Sequence, residues 1–231
     1  MYEKLSERAK DRLSSANNEE KLAVTVWNYK GGVGKTTISL ILAEIAAREG
    51  RKVLALDLDE QQNLAGMLRL TGDTFPSIEV RNELHDDYAQ EDFDFFVLDT
   101  HPAQNDTVLR ALQFADIVLI PILCDYPSVM NLADVFQFAY SAGVGNEQAA
   151  LVKNCMSELR VISDIESVID THKYPIAGRL PRYNLLLRNL ASGFRWDKGL
   201  QVSQREPFYR LYKNLWNAYR DMQAGKFHSI W

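Results

Sequence analysis

Five short apolar runs, LAVTVWN (22–28), KVLALDL (52–58), FDFFVLD (93–99), DIVLIPI (116–122) and AALVKN (149–154), limit most strongly how this chain folds. Each is bounded by a turn or a charge. A strand with one wet face alternates apolar and polar residues. Runs this continuous in Val, Ile and Leu are covered on both faces, as in a mainly parallel sheet whose crossovers are helices. Helical patterns lie between them at 35–48, with Ile38, Leu42, Ile45 and Ala46 on one face, and near 104–114, 128–140 and 161–172. The expected fold class is α/β, a doubly wound, mainly parallel sheet flanked by helices. YPIAGRLPR (174–182) adds a final strand and turn. Phe208, Leu211, Tyr212, Leu215, Trp216 and Tyr219 fall at helical spacing and predict a terminal helix over 208–219. The acid-rich stretch 71–94 reads as a surface loop with a short helix. Residues 1–20, a polar helix followed by SSANNEE, read as an appendage to a domain over 21–231.

With 46% hydrophobic and 25% charged residues among 231, the chain can build one substantial core. No apolar run reaches the roughly 18 residues needed to cross a bilayer, and MYEKLSERAKDR lacks the apolar stretch of a signal peptide, so a cytosolic protein is expected. Cys124 and Cys155 have no close-spaced partner, which suggests buried apolar residues and argues against a disulfide framework or a CxxC metal or cluster site.

The chemistry lies in KGGVGKTT, Lys30 to Thr37, directly after the first run and directly before the first helical pattern. A triphosphate concentrates charge on closely spaced oxygens. A loop that grips it must bring several backbone N–H groups to one point with no side chains in the way, which glycine permits. Gly31, Gly32 and Gly34, with Val33 between them, supply such a loop, and the dipole of the helix starting near Lys35 also favours an anion. Lys35 is then placed against the β- and γ-phosphates, the Thr36 hydroxyl on Mg²⁺ and Thr37 near the α-phosphate, giving a P-loop ATPase with ATP and Mg²⁺ as cofactors.

The common form GxxxxGKT asks for glycine where this chain has Tyr29; instead a second lysine, Lys30, precedes the glycine pair. KGGxGKT[T] is the signature of the deviant Walker A family that contains the ParA, Soj and MinD ATPases, and the chain resembles that family from about residue 22 to 200. ALDLDEQQNL (55–64) looks like its first switch, usually DxDPQGN. FFVLDTHPAQ (95–104) looks like its Walker B strand and second switch, and IVLIPILCDYPSVMNL resembles its fourth strand and following helix. The resemblance implies that Asp99 holds Mg²⁺ through its water shell, that Asp57 supports the same ion, and that Asp59 orients the water attacking the γ-phosphate. It implies that Lys30 reaches a partner's nucleotide, so that ATP holds an isologous homodimer together. Asn154, ending LVKN, and the Pro181-Arg182 turn match places where relatives hold adenine. Three positions depart from the pattern. Glu60 stands for Pro and Gln62 for Gly in the first switch, leaving the hydrolysis rate open, and His101 stands for the usual Pro or Ala, where a packing or dimer contact is expected ahead of a catalytic base.

Charge is uneven along the chain. Residues 1–150 hold 13 Lys/Arg against 24 Asp/Glu, whereas 174–231 hold ten against three. In the ParA branch the ATP dimer binds DNA without sequence preference, and a ParB-like protein or cargo adaptor triggers hydrolysis, moving a cargo over the nucleoid of a prokaryotic cell. The basic C-terminal part fits that branch, with Arg188, Arg195, Lys198 and Arg205 as candidate phosphate contacts. Two alternatives stand beside it. One is a MinD-like protein that lays its basic, aromatic C-terminal helix on a membrane, although packing of that helix on the sheet is the preferred expectation. The other is a nucleotide-gated interaction module with little turnover. Missing cysteine pairs argue against a cluster carrier, and Lys30 against a synthetase or kinase.

Overall fold

The computed structural model describes residues 20–70, 75–123, 125–156, 167, 169, 172–193, 195–226 and 231. Seven strands, β1 (Leu22–Val26), β2 (Val53–Leu58), β3 (Ile78–Arg81), β4 (Phe95–Thr100), β5 (Ile117–Leu123), β6 (Ala149–Met156) and β7 (Ile176–Pro181), form one sheet in the order β3-β2-β4-β1-β5-β6-β7. Every pairing is parallel. The five apolar runs are its five inner strands, and residues of β1, β2 and β4 are buried on both sides, as continuous hydrophobicity requires.

Alternation along the strands divides the core. Leu22, Val24 and Val26 of β1, with Val53, Ala55, Phe95 and Val97, pack with helices α1 (Lys35–Arg48), α2 (Asn63–Leu70) and α7 (Val202–Gln223). On the opposite face Val118 and Ile120 of β5 pack with α3 (Asp106–Phe114), α4 (Tyr126–Met130) and α5 (Leu132–Ser141), while Ala23, Leu54 and Phe96 pack with Ala111 and Phe114. A short helix α6 (Asn184–Ala191) follows β7.

Several expectations are corrected. The stretch 71–94 contains the edge strand β3 besides a 3-10 turn at Asp86–Gln90. Only β2 pairs with β3, so IEVR needs no continuous apolar run. The pattern at 128–140 is two helices that meet at Asn131. The terminal helix extends to Val202–Gln223, because the apolar stripe marks only the part that packs, while Val202 and Ser203 at its start are exposed. Phe208, Leu211, Tyr212, Leu215, Trp216 and Tyr219 are all buried in the core, so the aromatic face belongs to the sheet, as preferred from sequence. The helical pattern at 161–172 lies mostly outside the described residues, as do residues 1–19 and Cys124. No helix among the described residues is long and apolar enough to cross a membrane.

Candidate nucleotide site

Parallel strands deliver their C-terminal ends to one edge, and β1 lies at the centre, where the chain winds outward in both directions; ligands of open α/β sheets bind at such a switch point. The loop after β1 is anchored from below. Asn28 donates its Nδ2 to the Pro121 carbonyl (3.0 Å) and accepts the Lys30 amide on Oδ1 (2.9 Å), and the Thr100 hydroxyl donates to the Val26 carbonyl (2.9 Å). Strands β5 and β4 thereby fix the height of the loop.

Gly32 (φ +74°) and Gly34 (φ +96°) occupy the left-handed region. Gly34 is constrained twice, since a Cβ there would lie 2.1 Å from the Asn154 Nδ2. Around Gly31 and Gly32 the space a Cβ would fill is open, which is the cradle an anion requires. Gly34 is also the N-cap of α1 and offers no side-chain cap, so the first amides of this helix are left for a ligand. Lys35 is buried and spans the loop, its Nζ donating to the Lys30 carbonyl (3.3 Å). Burial pushes its pKa down, against the pull of Asp99 and Asp59.

The acids are set by register. Asp57 is the Cα partner of Asp99 across β2 and β4, which puts both at the same level beside the loop. Asp99 is fully buried; its Oδ1 accepts from the Ser39 hydroxyl (3.2 Å) and its Oδ2 has no hydrogen-bond partner. Burial pushes its carboxyl up to about 7, opposed by the Thr36 and Ser39 hydroxyls and Lys35 and reinforced by Asp57. A buried carboxylate with an orphaned oxygen beside a threonine hydroxyl fits Mg²⁺, which takes one or two protein oxygens and completes its shell with water and phosphate. Asp57 is raised by burial but accepts from the Ala65 amide (2.8 Å) and the Asp59 amide (3.3 Å), so it fixes the loop into α2. Asp59 stands at the mouth, accepting from the Gln61 amide (3.0 Å) and lying 3.3 Å from His101 Nδ1.

The structure brings together Gly31, Gly32, Val33, Gly34, Lys35, Thr36, Asp57, Asp59, Asp99 and Asn154. Asn154 donates its Nδ2 to the Val33 carbonyl (2.8 Å) and so braces the loop. Pro181 ends β7, and Arg182 beyond it is exposed. Gln62 has φ +49°, the left-handed conformation at the one switch position where relatives carry glycine. His101 faces Asp59 of its own chain, a polar contact in place of the expected packing or dimer contact.

The sequence reading missed Asn28, Ser39, Asp125 and Ser128. Ser39 lies four residues after Lys35, one helical turn along the same face, which is a signal for a group meeting the β4 end. Asp125 caps α4, accepting the Ser128 amide (2.8 Å), and D-x-x-S behind an apolar run is a readable cap. Of the candidate DNA residues Arg188, Arg195 and Lys198 are exposed and Arg205 is partly covered; Arg195 (3.5 Å) and Arg205 (3.4 Å) both face buried Asp197, which Arg48 of α1 also holds at 2.7 Å.

A glycine loop between a central parallel strand and a helix, crossed by a buried lysine and flanked by an aspartate at the end of a neighbouring strand, defines a P-loop nucleotide-binding protein. The sequence matches the CobQ/CobB/MinD/ParA nucleotide binding domain over residues 24–193, and the chain belongs to that family, which includes partition and positioning ATPases. It is 28% identical over 144 residues to the chromosome-partitioning ATPase Soj of Thermus thermophilus, covering 48% of this chain and 58% of Soj. The match thus spans little more than half of that relative. Among solved structures it superposes on the MinD cell division protein of Aquifex aeolicus (TM-score 0.71, 18% identity, 84% of this chain and 97% of that one). It also superposes on a protein of Borrelia burgdorferi B31 described as a plasmid partition protein bound to AMPPNP (TM-score 0.69, 18% identity, 84% and 98%). At that identity the likeness is one of fold.

Proposed function

We infer that the protein is an ATP-driven switch of the ParA type. It binds Mg·ATP at the loop, pairs face to face with a second copy, holds DNA without sequence preference, and hydrolyses ATP slowly until a partner protein stimulates it. The observation that carries this reading is the division of labour on one loop. Lys35 is buried against the cradle, whereas Lys30 stands at its mouth and is 30% exposed, a lysine that a lone nucleotide does not need.

With Mg·ATP bound, Gly31 to Thr37 would surround the phosphates, Lys35 would face the β- and γ-oxygens, and Thr36 and Asp99 would hold Mg²⁺ with Asp57 behind them. The ion would supply positive charge against the phosphates. Asp59 orients the attacking water, while Asn154, Pro181 and Arg182 take the adenine side. Net charge of the 174–231 segment supports DNA as the ligand of the ATP dimer, and a cytoplasmic, nucleoid-associated protein with residues 21–231 as its ATPase domain follows. A MinD-like membrane role is disfavoured, because the aromatic residues of α7 are already buried.

One specific observation favours a second reading, the interaction module with little turnover. Gln62 is held in a left-handed conformation beside Asp59, where a glycine would be relaxed. Calorimetry with Mg·ATP, single-turnover hydrolysis, and DNA binding with ATP and with ADP over a salt series test both. Equal DNA binding in ATP and ADP sinks the switch; absent turnover with intact ATP-dependent pairing selects the module.

A further inference from the structure

The lysine that the proposed switch lends to its partner is not free in this structure. A lysine ammonium has three N–H donors. Lys30 Nζ lies 3.0 Å from Asp125 Oδ1, 3.1 Å from Asp125 Oδ2 and 2.9 Å from Ser128 Oγ, so all three donors are satisfied inside its own subunit. The anchor is itself fixed, because Asp125 also accepts the Ser128 amide as the cap of α4, immediately after β5. Burial works to raise the Asp125 carboxyl, yet Ser128 and Lys30 together hold it below the usual carboxylate range, so this carboxylate carries its charge at neutral pH.

We propose that Asp125, with Ser128, is a positioning residue that stows Lys30 against its own subunit and so sets the threshold for ATP-dependent pairing. This rests on the reading that Lys30 acts across a dimer. Lys30 leaves a carboxylate only for a stronger acceptor, and the terminal phosphate of a partner's ATP, with more charge and three oxygens, is one. ADP lacks this terminal phosphate. The latch therefore suppresses pairing of empty or ADP-bound subunits, and its release is coupled to the presence of a γ-phosphate on the other protomer. At 30% and 41% side-chain exposure the ion pair is partly screened, so it tunes the threshold and does not forbid pairing.

Asp125→Asn separates the two tasks of this residue, since asparagine caps a helix as well as aspartate but carries no charge. The full chain is compared with Asp125→Asn, Ser128→Ala and Lys30→Ala by analytical ultracentrifugation in Mg·ATPγS and in Mg·ADP. Amine labelling of Lys30, read by mass spectrometry, is measured in the nucleotide-free protein. Asp125→Asn is expected to raise Lys30 labelling and tighten the ATPγS dimer about two- to fivefold, Ser128→Ala to do the same more weakly, and monomer affinity for Mg·ATPγS to stay unchanged. Unaltered labelling, or a dimer equal to or weaker than the parent's in Asp125→Asn, overturns the latch while leaving the switch standing. A Lys30→Ala protein that dimerises like the parent removes both.

Discussion

The phosphate edge and the basic C-terminal segment look equally informative as strings of residues, yet they behave differently once folded. At the phosphate edge each polar group is placed by backbone that the motif itself specifies. Gly34 starts α1, Lys35 lies back over the loop, and Asp57 and Asp99 meet in register. Among the described residues of 174–231, at least five of the ten cations have an acidic neighbour. Arg195 and Arg205 face Asp197, Arg210 faces Glu206 (3.5 Å), Arg220 is bidentate with Glu20 (2.9 and 2.8 Å), and Lys226 lies 3.8 Å from Asp221. A motif carries its geometry with it; a charge count does not know which charges are already paired.

The largest effect is expected where the loop is most constrained. Gly34→Ala forces a side chain into a left-handed position and into the Asn154 amide, so Mg·ATP affinity should fall by more than about a hundredfold in calorimetry. Retained binding would mean that the edge is less rigid than its contacts indicate.

Next is the internal pairing of the basic segment. Arg48 reaches Asp197 through two bonds of 2.7 and 3.0 Å, with Arg195 and Arg205 nearby, and burial of Asp197 is more than offset by Arg48 and these cations. Asp197→Ala leaves half-buried Arg48 with Glu44 (3.3 Å) as its remaining acid and should cost roughly 2 kcal/mol in urea unfolding. A loss below about 1 kcal/mol would reclassify the cluster as surface charge.

The same cluster sorts the DNA candidates. Arg188→Glu should weaken ATP-dependent DNA binding about fivefold and flatten its salt slope, whereas Arg195→Ala should change it less than about twofold. The reverse order in a filter-binding salt series would place the DNA face on the Asp197 side.

The smallest effect is a pH dependence. Glu44 of α1 is fully buried with Oε1 unpartnered, and burial pushes its carboxyl to about 7, opposed by Arg48 and Arg195 and reinforced by Asp197. Because the folded pKa lies above the ordinary value near 4.5, the folded state holds a proton that the unfolded state has released. The stability from this residue is therefore complete below pH 4.5 and lost as pH rises to about 7. Glu44→Gln should gain stability at pH 7.5, on the order of 1 kcal/mol, with little change at pH 4.5, measured as urea midpoints. Equal gains at both pH values would show that the carboxyl titrates normally.

Much of the fold was readable because a parallel strand buried on both faces leaves an unmistakable apolar run, and all five central strands have one. The edge strand β3 was not, since IEVR is half covered and polar at Glu79 and Arg81. Helices α2 and α6 were missed for the same reason, each having few buried positions.

By itself the sequence determined the phosphate cradle, because glycine conformations, the helix that follows and the lysine on its first turn are all local to Lys30–Thr37. It also determined which aspartates end strands. Tertiary structure alone decided that Asn28 ties the loop to β5, that Ser39 meets Asp99, and that Asn154 supports Val33 from 121 residues away. It decided too that Lys30 rests on Asp125 and that His101 faces Asp59. Those contacts join strand ends far apart in the chain, and only the order in which the strands are laid side by side brings them within hydrogen-bonding reach.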